Sequence, residues 1–250
     1  MGTLILILLL GVAQAVNLNG APADLLSSAT KNAGPIVNTQ QGTLGVPMQI
    51  VLLMTGLTLL PVLLMSVTPF LRITLVLHFL RQAIGTQSTP SNPVLIGLAL
   101  FLTLMIMQPT LQKSYEEGWV PYEKQTLSSD AAWKKGTEPI RAFLVKYVRE
   151  KDVQMLLDVS HTPAPANASA LEFRILMPAY VLSELKTGFQ IGAMLFLPFL
   201  IIDLLVASVT LSVGIVQLPP AMVSSPFKIL LFVLVDGWNL VAGSLVRSFY

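Results

Sequence analysis

Cysteine is absent from all 250 residues, which excludes disulfides, thiolate nucleophiles and cysteine-ligated metals. Histidine is nearly absent too: His78 and His161 lie far apart in the chain and neither has a carboxylate cluster beside it. There is no His-Glu-x-x-His, no Walker loop and no Gly-x-Ser-x-Gly, so the convergent acid, base, nucleophile and ligand set of an active site is missing. The chain is therefore predicted not to be an enzyme and to carry no cofactor or metal. Charge is scarce. Asp, Glu, Lys and Arg make up 11% of the residues, against about 25% in an ordinary soluble domain. The net charge of +2 is too small to argue for nucleic acid as a partner.

What fills the chain instead is hydrocarbon. Apolar residues reach 54% and mean hydropathy is +0.72. A soluble fold could not cover its surface with so few charges. The expected class is all-α: helical hairpins with kinked or broken helices in a multi-spanning membrane protein. Residues 1–15 hold an apolar run, Leu4 to Leu10, and the small-residue sequence Ala13-Gln14-Ala15, which together read as a signal peptide cleaved after Ala15. Residues 16–45 are rich in Asn, Gly, Ala, Ser and Thr and read as a mobile exported tail.

The run from Val46 to Phe70 exceeds the roughly 20 residues a helix needs to cross the hydrocarbon core. Pro61 predicts a kink or break within it. Arg72, His78 and Arg81 follow at once and read as cytoplasmic loop cations by the positive-inside bias. Residues 86–93 form a turn, and Val94 to Leu111 returns outward, so 46–112 is a first helical hairpin. From Lys113 to Asp158 lie 16 of the chain's 28 charged residues, which marks 113–170 as a charged periplasmic helical segment. In it Ile140, Phe143, Leu144, Tyr147 and Val148 recur at helical spacing behind Pro139, a residue favoured at a first helical position. Residues 171–250 make a second hairpin. Gly188 to Met222 is too long for one span, and Gly214 with Pro219-Pro220 predicts that the backbone leaves the helix over 214–220. Irregular backbone at membrane depth survives only where protein buries it or water lies beside it, so this loop is a pore-side candidate. Phe227 to Val246 is the last apolar run, and four crossings with both ends outside follow if each run spans.

Ionisable groups inside these runs are the informative ones, because a charge at mid-bilayer costs about 2.5 to 3.5 kcal/mol on insertion scales. Asp203, Lys228, Asp236 and the Glu184/Lys186 pair are such groups and are candidates for buried or inter-subunit pairing. Lys228 and Asp236 could also reach the headgroup region from helix ends. Asp203, near the middle of its run, calls for a cation on a neighbouring helix or subunit, with Lys228 or Lys186 the leading candidate. A proton relay through Asp203 and Asp236 is the alternative, and it belongs to an ion-coupled small-solute transporter.

Longer strings carry a resemblance. Pro178-Ala-Tyr-Val-Leu-Ser-Glu-Leu-Lys-Thr-Gly-Phe-Gln-Ile-Gly192, followed by Pro198-Phe-Leu-Ile-Ile-Asp203, resembles the signature of the FliP family of flagellar export-gate proteins, which has close relatives in virulence type III secretion. Pro226-Phe-Lys228 with Leu231 to Trp238 resembles that family's C-terminal signature. Thr68 to Ile73 and Asn92 to Pro109 resemble its first hairpin. The resemblance spans roughly residues 45 to 250. It implies a pore-forming subunit of the bacterial inner membrane and flagellar basal body, whose helices assemble into a helical ring or cone. Several copies, in this family five, would join FliQ, FliR and other export-apparatus membrane proteins around a channel for unfolded export substrates. It also implies a constriction after the glycine matching Gly214, where the family has a methionine-rich gasket. This chain has Ile215, Val216, Gln217 and Leu218 there, and a ring of aliphatic side chains can still exclude ions by dewetting. Replacing Ile215, Val216 and Leu218 together by glycine should raise ion leak through the assembled complex; unchanged conductance in a planar bilayer would reject the assignment.

Overall fold

In the computed structural model, residues 46–250 are described except for 87, 164, 166, 168–170 and 215–218. The signal-peptide and tail assignments for 1–15 and 16–45, and the constriction residues Ile215 to Leu218, lie outside the described residues. The protein is all-α, with no strand among the described residues. Helices are α1 (Val46–Val67), α2 (Phe70–Ile84), α3 (Asn92–Ser114), α4 (Val120–Glu123), α5 (Ser129–Tyr147), α6 (Glu150–Val159), α7 (Phe173–Ser212), α8 (Pro220–Leu234) and α9 (Gly237–Arg247). A single π-helical turn, Tyr115–Trp119, joins α3 to α4. The described residues divide into two units, one ending at residue 64 and the other running from 65 to 250. The first contains most of α1, an uncharged apolar helix with Pro61 inside it.

Among the described residues, three stretches are long and apolar enough to cross a membrane: 50–67, 92–123 and 173–212. The last apolar run is not one straight helix, since α8 and α9 meet at a bend of 64°. Asp236 sits at that bend with φ +50°, a left-handed conformation that a helix interior cannot contain. The sequence also suggested a loop after Phe70, yet Arg72, His78 and Arg81 all lie on α2. That helix carries an apolar stripe of Ile73, Val76, Leu77, Leu80 and Ala83, all buried, so core packing rather than a membrane boundary decides its conformation. Pro139 does not open its helix either. α5 begins ten residues earlier, at Ser129, with the Ser128 hydroxyl accepting the Ala131 amide at 3.4 Å.

Helix α7 organises the larger unit. Its 40 residues extend about 60 Å at the usual helical rise, twice the thickness of a hydrocarbon core. The N-terminal half buries Ile175, Leu176, Ala179 and Tyr180 against a core shared with Phe143 and Leu144 of α5 and Val153 and Leu157 of α6. The C-terminal half leaves Leu200, Leu204, Leu205 and Val209 exposed while Phe199 and Thr210 are buried.

Between the halves, Gly188 and Gly192 stand one turn apart and receive Leu75 and Phe79 of α2. A Cβ on Gly192 would lie 2.3 Å from the Phe79 ring, and one on Gly188 2.8 Å from Leu75. Small residues at this spacing let two helices approach closely in an apolar setting, where van der Waals contact is the main attraction. Gly192→Val should destabilise the fold by about 1 to 3 kcal/mol through overpacking. Phe79→Ala in the same chain should recover part of the loss, as measured by unfolding in mixed detergent micelles.

Candidate functional site

Helix α7 makes an ion pair to another helix from each of its halves, and each ties it to a different neighbour. In the N-terminal half Glu184 is completely buried, and its Oε1 accepts a hydrogen bond from Arg72 Nη2 of α2 at 2.5 Å. Arg72 is 4% exposed. Its Nη1 donates to Ser248 Oγ at 3.2 Å, and its guanidinium carbon lies 4.0 Å from the centre of the Phe249 ring. The Tyr147 hydroxyl donates to the Phe249 carbonyl. The segment after α9 is thereby folded over the pair from one side, with the aromatic face supplying the quadrupole that an isolated guanidinium lacks. Satisfaction is incomplete: Arg72 Nε, Glu184 Oε2 and the Tyr180 hydroxyl have no hydrogen-bond partner among the described residues.

One residue earlier, Ser183 Oγ donates to Asp152 Oδ2 at 2.6 Å and accepts the Arg149 amide at 3.0 Å. This orients the first turn of α6. Arg149 Nη2 also reaches Gln190 Oε1 at 2.6 Å. Near the far end of α2, Arg81 donates to Pro90 O at 3.1 Å and Asn92 Oδ1 at 2.7 Å, closing the turn into α3. It also donates to His78 Nδ1 at 3.2 Å. Burial lowers the His78 pKa, and the Arg81 charge acts in the same direction, so the imidazole stays neutral at pH 7.

In the C-terminal half, Asp203 meets α8. Lys228 Nζ donates to Oδ2 at 2.6 Å and Ser224 Oγ to Oδ1 at 2.5 Å. Lys228 is buried, whereas a third of the Asp203 side chain remains exposed. Ser224 and Lys228 are four residues apart and so share one face of α8. Beyond Asp203, α7 ends and Gly214 takes φ +81°, where an L side chain would be strained. Pro219 then precedes α8. A three-residue polar clasp thus holds α8 against the C-terminal half of α7, where both segments are otherwise uncharged.

Of the two cations considered for Asp203, Lys228 is adjacent and Lys186 is not. Lys186 is exposed on α7 and, only two residues from Glu184, faces away from it. The sequence grouped those two together; the cation that Glu184 meets is Arg72. Asp236 is also exposed, at the α8–α9 bend, and accepts from Asn239 Nδ2 at 3.2 Å. Arg72 was read in the sequence as a loop cation rather than as a buried partner, and Ser224 was not singled out. A signal existed for both: Arg72 falls on the same helical face as Val76, Leu80 and Ala83, and Ser224 stands one turn before Lys228. No group of three or more metal-ligating side chains occurs among the described residues.

The model of the FliP family matches residues 53–245. A flagellar biosynthetic protein FliP from Pectobacterium carotovorum is 47% identical over 84% of this chain and 81% of its own length. The protein of that name from Caulobacter vibrioides is 44% identical over 95% of this chain and 91% of its own. That from Bacillus subtilis is 47% identical over 80% and 91%. Both ion pairs, the glycine pair and Gly214 fall inside the matched range.

Removing one partner of the buried pair strands a charge without solvent, which typically costs about 3 to 5 kcal/mol. Arg72→Leu alone should therefore abolish stable folding in detergent, whereas Arg72→Leu with Glu184→Met should lose much less. Additive losses in a double-mutant cycle would show that the two side chains act independently.

Proposed function

The chain belongs to the FliP family, and from that premise we propose that it is a pore-forming structural subunit of the flagellar type III protein export gate. In this reading it resides in the bacterial inner membrane at the flagellar basal body. Five copies join FliQ, FliR and other export-apparatus membrane proteins around the channel through which unfolded substrates enter. Its contribution is architectural, with no bond made or broken on the chain.

The observation that carries this reading is the clasped bend between α7 and α8. Two apolar helices are tied by Asp203, Ser224 and Lys228, and the backbone between them leaves helical geometry at Gly214. Non-helical backbone between apolar helices is tolerated where protein or water covers it, and a ring of such bends around a central path meets that condition. The large exposed apolar face of α7 and α8, including Leu204, Val209, Met222 and Leu234, gives sister chains and partner helices a surface to close against. An ion-coupled transporter would use Asp203 as a proton carrier. The close lysine and serine around that carboxylate favour a fixed clasp instead.

Mild-detergent purification of the protein with its export-apparatus partners should give a mixed multi-subunit particle by native mass measurement. Asp203→Asn should reduce the recovery of partner subunits in that particle, and the exchange Asp203→Lys with Lys228→Asp should restore part of it. A monomer that stays soluble alone and moves a small solute would refute the gate.

A further inference from the structure

Three polar atoms around the buried ion pair lack a hydrogen-bond partner among the described residues: Arg72 Nε, Glu184 Oε2 and the Tyr180 hydroxyl. Tyr180 and Glu184 are fully buried and Arg72 is nearly so. The three atoms belong together. Tyr180 and Glu184 stand four residues apart on α7 and so share one face of it, and the Glu184 and Arg72 charges both act on the Tyr180 hydroxyl. The ion pair itself rests on one contact, Arg72 Nη2 to Glu184 Oε1. Nε lies on the same edge of the guanidinium as Nη2, and Oε2 is the other oxygen of the carboxylate, so the two unpartnered atoms are the second prong of a fork whose first prong is closed. Elsewhere the guanidinium is already engaged: Nη1 donates to Ser248 Oγ at 3.2 Å, and the Phe249 ring covers one face.

Buried polar groups in folded proteins are satisfied, because an unmade bond at a charged group forfeits its hydration with nothing in return. Whatever satisfies these three must accept from Nε–H, donate to Oε2, and serve the phenol in either sense. A cation is repelled by the guanidinium and an anion by the carboxylate, and since the pair is neutral in sum its ligand is neutral too. A side chain of another subunit has no access, because the three atoms expose almost no surface. We propose that one water molecule is built into the junction of α2 and α7, accepting a hydrogen bond from Arg72 Nε and donating one to Glu184 Oε2, with the Tyr180 hydroxyl as its third partner. Three protein contacts are the usual number for a buried water. The two helices are then joined by parallel bridges, one direct and one through water, and a water bridge is nearly as favourable in enthalpy as a direct bond. Tyr180 is a positioning residue in this arrangement: it holds the water that holds the second carboxylate oxygen. The assignment rests on the ion pair and does not depend on the export-gate reading.

Two measurements test it. Tyr180→Phe removes one hydroxyl and keeps the ring beside Phe143, whose centroid lies 6.2 Å away. With the water held by that hydroxyl, the full-length variant in detergent should unfold about 2 to 4 °C below the parent, the shift that loss of one hydrogen bond produces at this chain length. A hydroxyl with no partner behaves in the opposite sense: its removal relieves a buried unmade bond, and the midpoint stays or rises. A direct bond from the phenol to Glu184 would also lower the midpoint, so the second measurement is a density map of the unmodified protein, alone or in its assembly, at a resolution that shows ordered water at other buried sites. A peak within about 3.2 Å of Arg72 Nε, Glu184 Oε2 and Tyr180 Oη is expected. An unchanged or raised midpoint, or a map in which Nε or the phenol closes directly on the carboxylate with no such peak, overturns the proposal.

Discussion

A carboxylate with no access to solvent has to be neutralised where it stands, and Glu184 imposes that condition on three separate parts of the chain. Arg72 must come from α2, Ser248 and Phe249 from the segment beyond α9, and Tyr147 from the end of α5 must hold the Phe249 carbonyl. Apolar packing alone would let these helices slide along one another, because dispersion contacts are many, weak and nearly interchangeable. A charge pair with one productive geometry is not interchangeable. The glycine pair at Gly188 and Gly192 acts with it, setting how closely α2 approaches α7 while Arg72 and Glu184 set where along the axis they meet.

The second clasp applies the same physics at the other end of α7 to a different purpose. Asp203 keeps a third of its surface open, and its partners both come from one face of α8. What it holds is a bend rather than a core. Between the clasps the helix presents apolar side chains outward, a surface that in water would drive aggregation and in lipid or against sister helices is ordinary. The chain thus combines a well-packed N-terminal half of α7, where soluble-like helices α5 and α6 gather, with a sparsely covered C-terminal half whose natural environment lies outside a single copy.

Much of this was legible in the residues. The near absence of charge and the length of the apolar runs already require a helical membrane protein, since every backbone group in hydrocarbon must be bonded within its own segment. The departure from helix at Gly214 and the restart at Pro220 follow from backbone chemistry that acts within a few residues, and the positions of Asp203 and Lys228 mark them as groups in need of partners. Local rules failed where a residue's role depends on distant chain. Arg72 reads as a boundary cation because apolar sequence precedes it, yet its partner is 112 residues away. Lys186 reads as the companion of Glu184 because it is near in sequence, although a separation of two residues puts side chains on different sides of a helix.

By itself, then, the sequence determined the fold class, the family, the apolar segments and the places where helices must break, because hydrophobicity, helical period and the constraints on glycine and proline act over a turn or two. Tertiary structure alone decided which charges meet, that the chain after α9 returns to cover Arg72, and that the last apolar run bends by 64° at Asp236. Coulombic and aromatic contacts depend on positions in space rather than on separation along the chain, and an apolar helix can satisfy its own hydrogen bonds in many arrangements. The choice among those arrangements falls to the few buried polar groups that have only one.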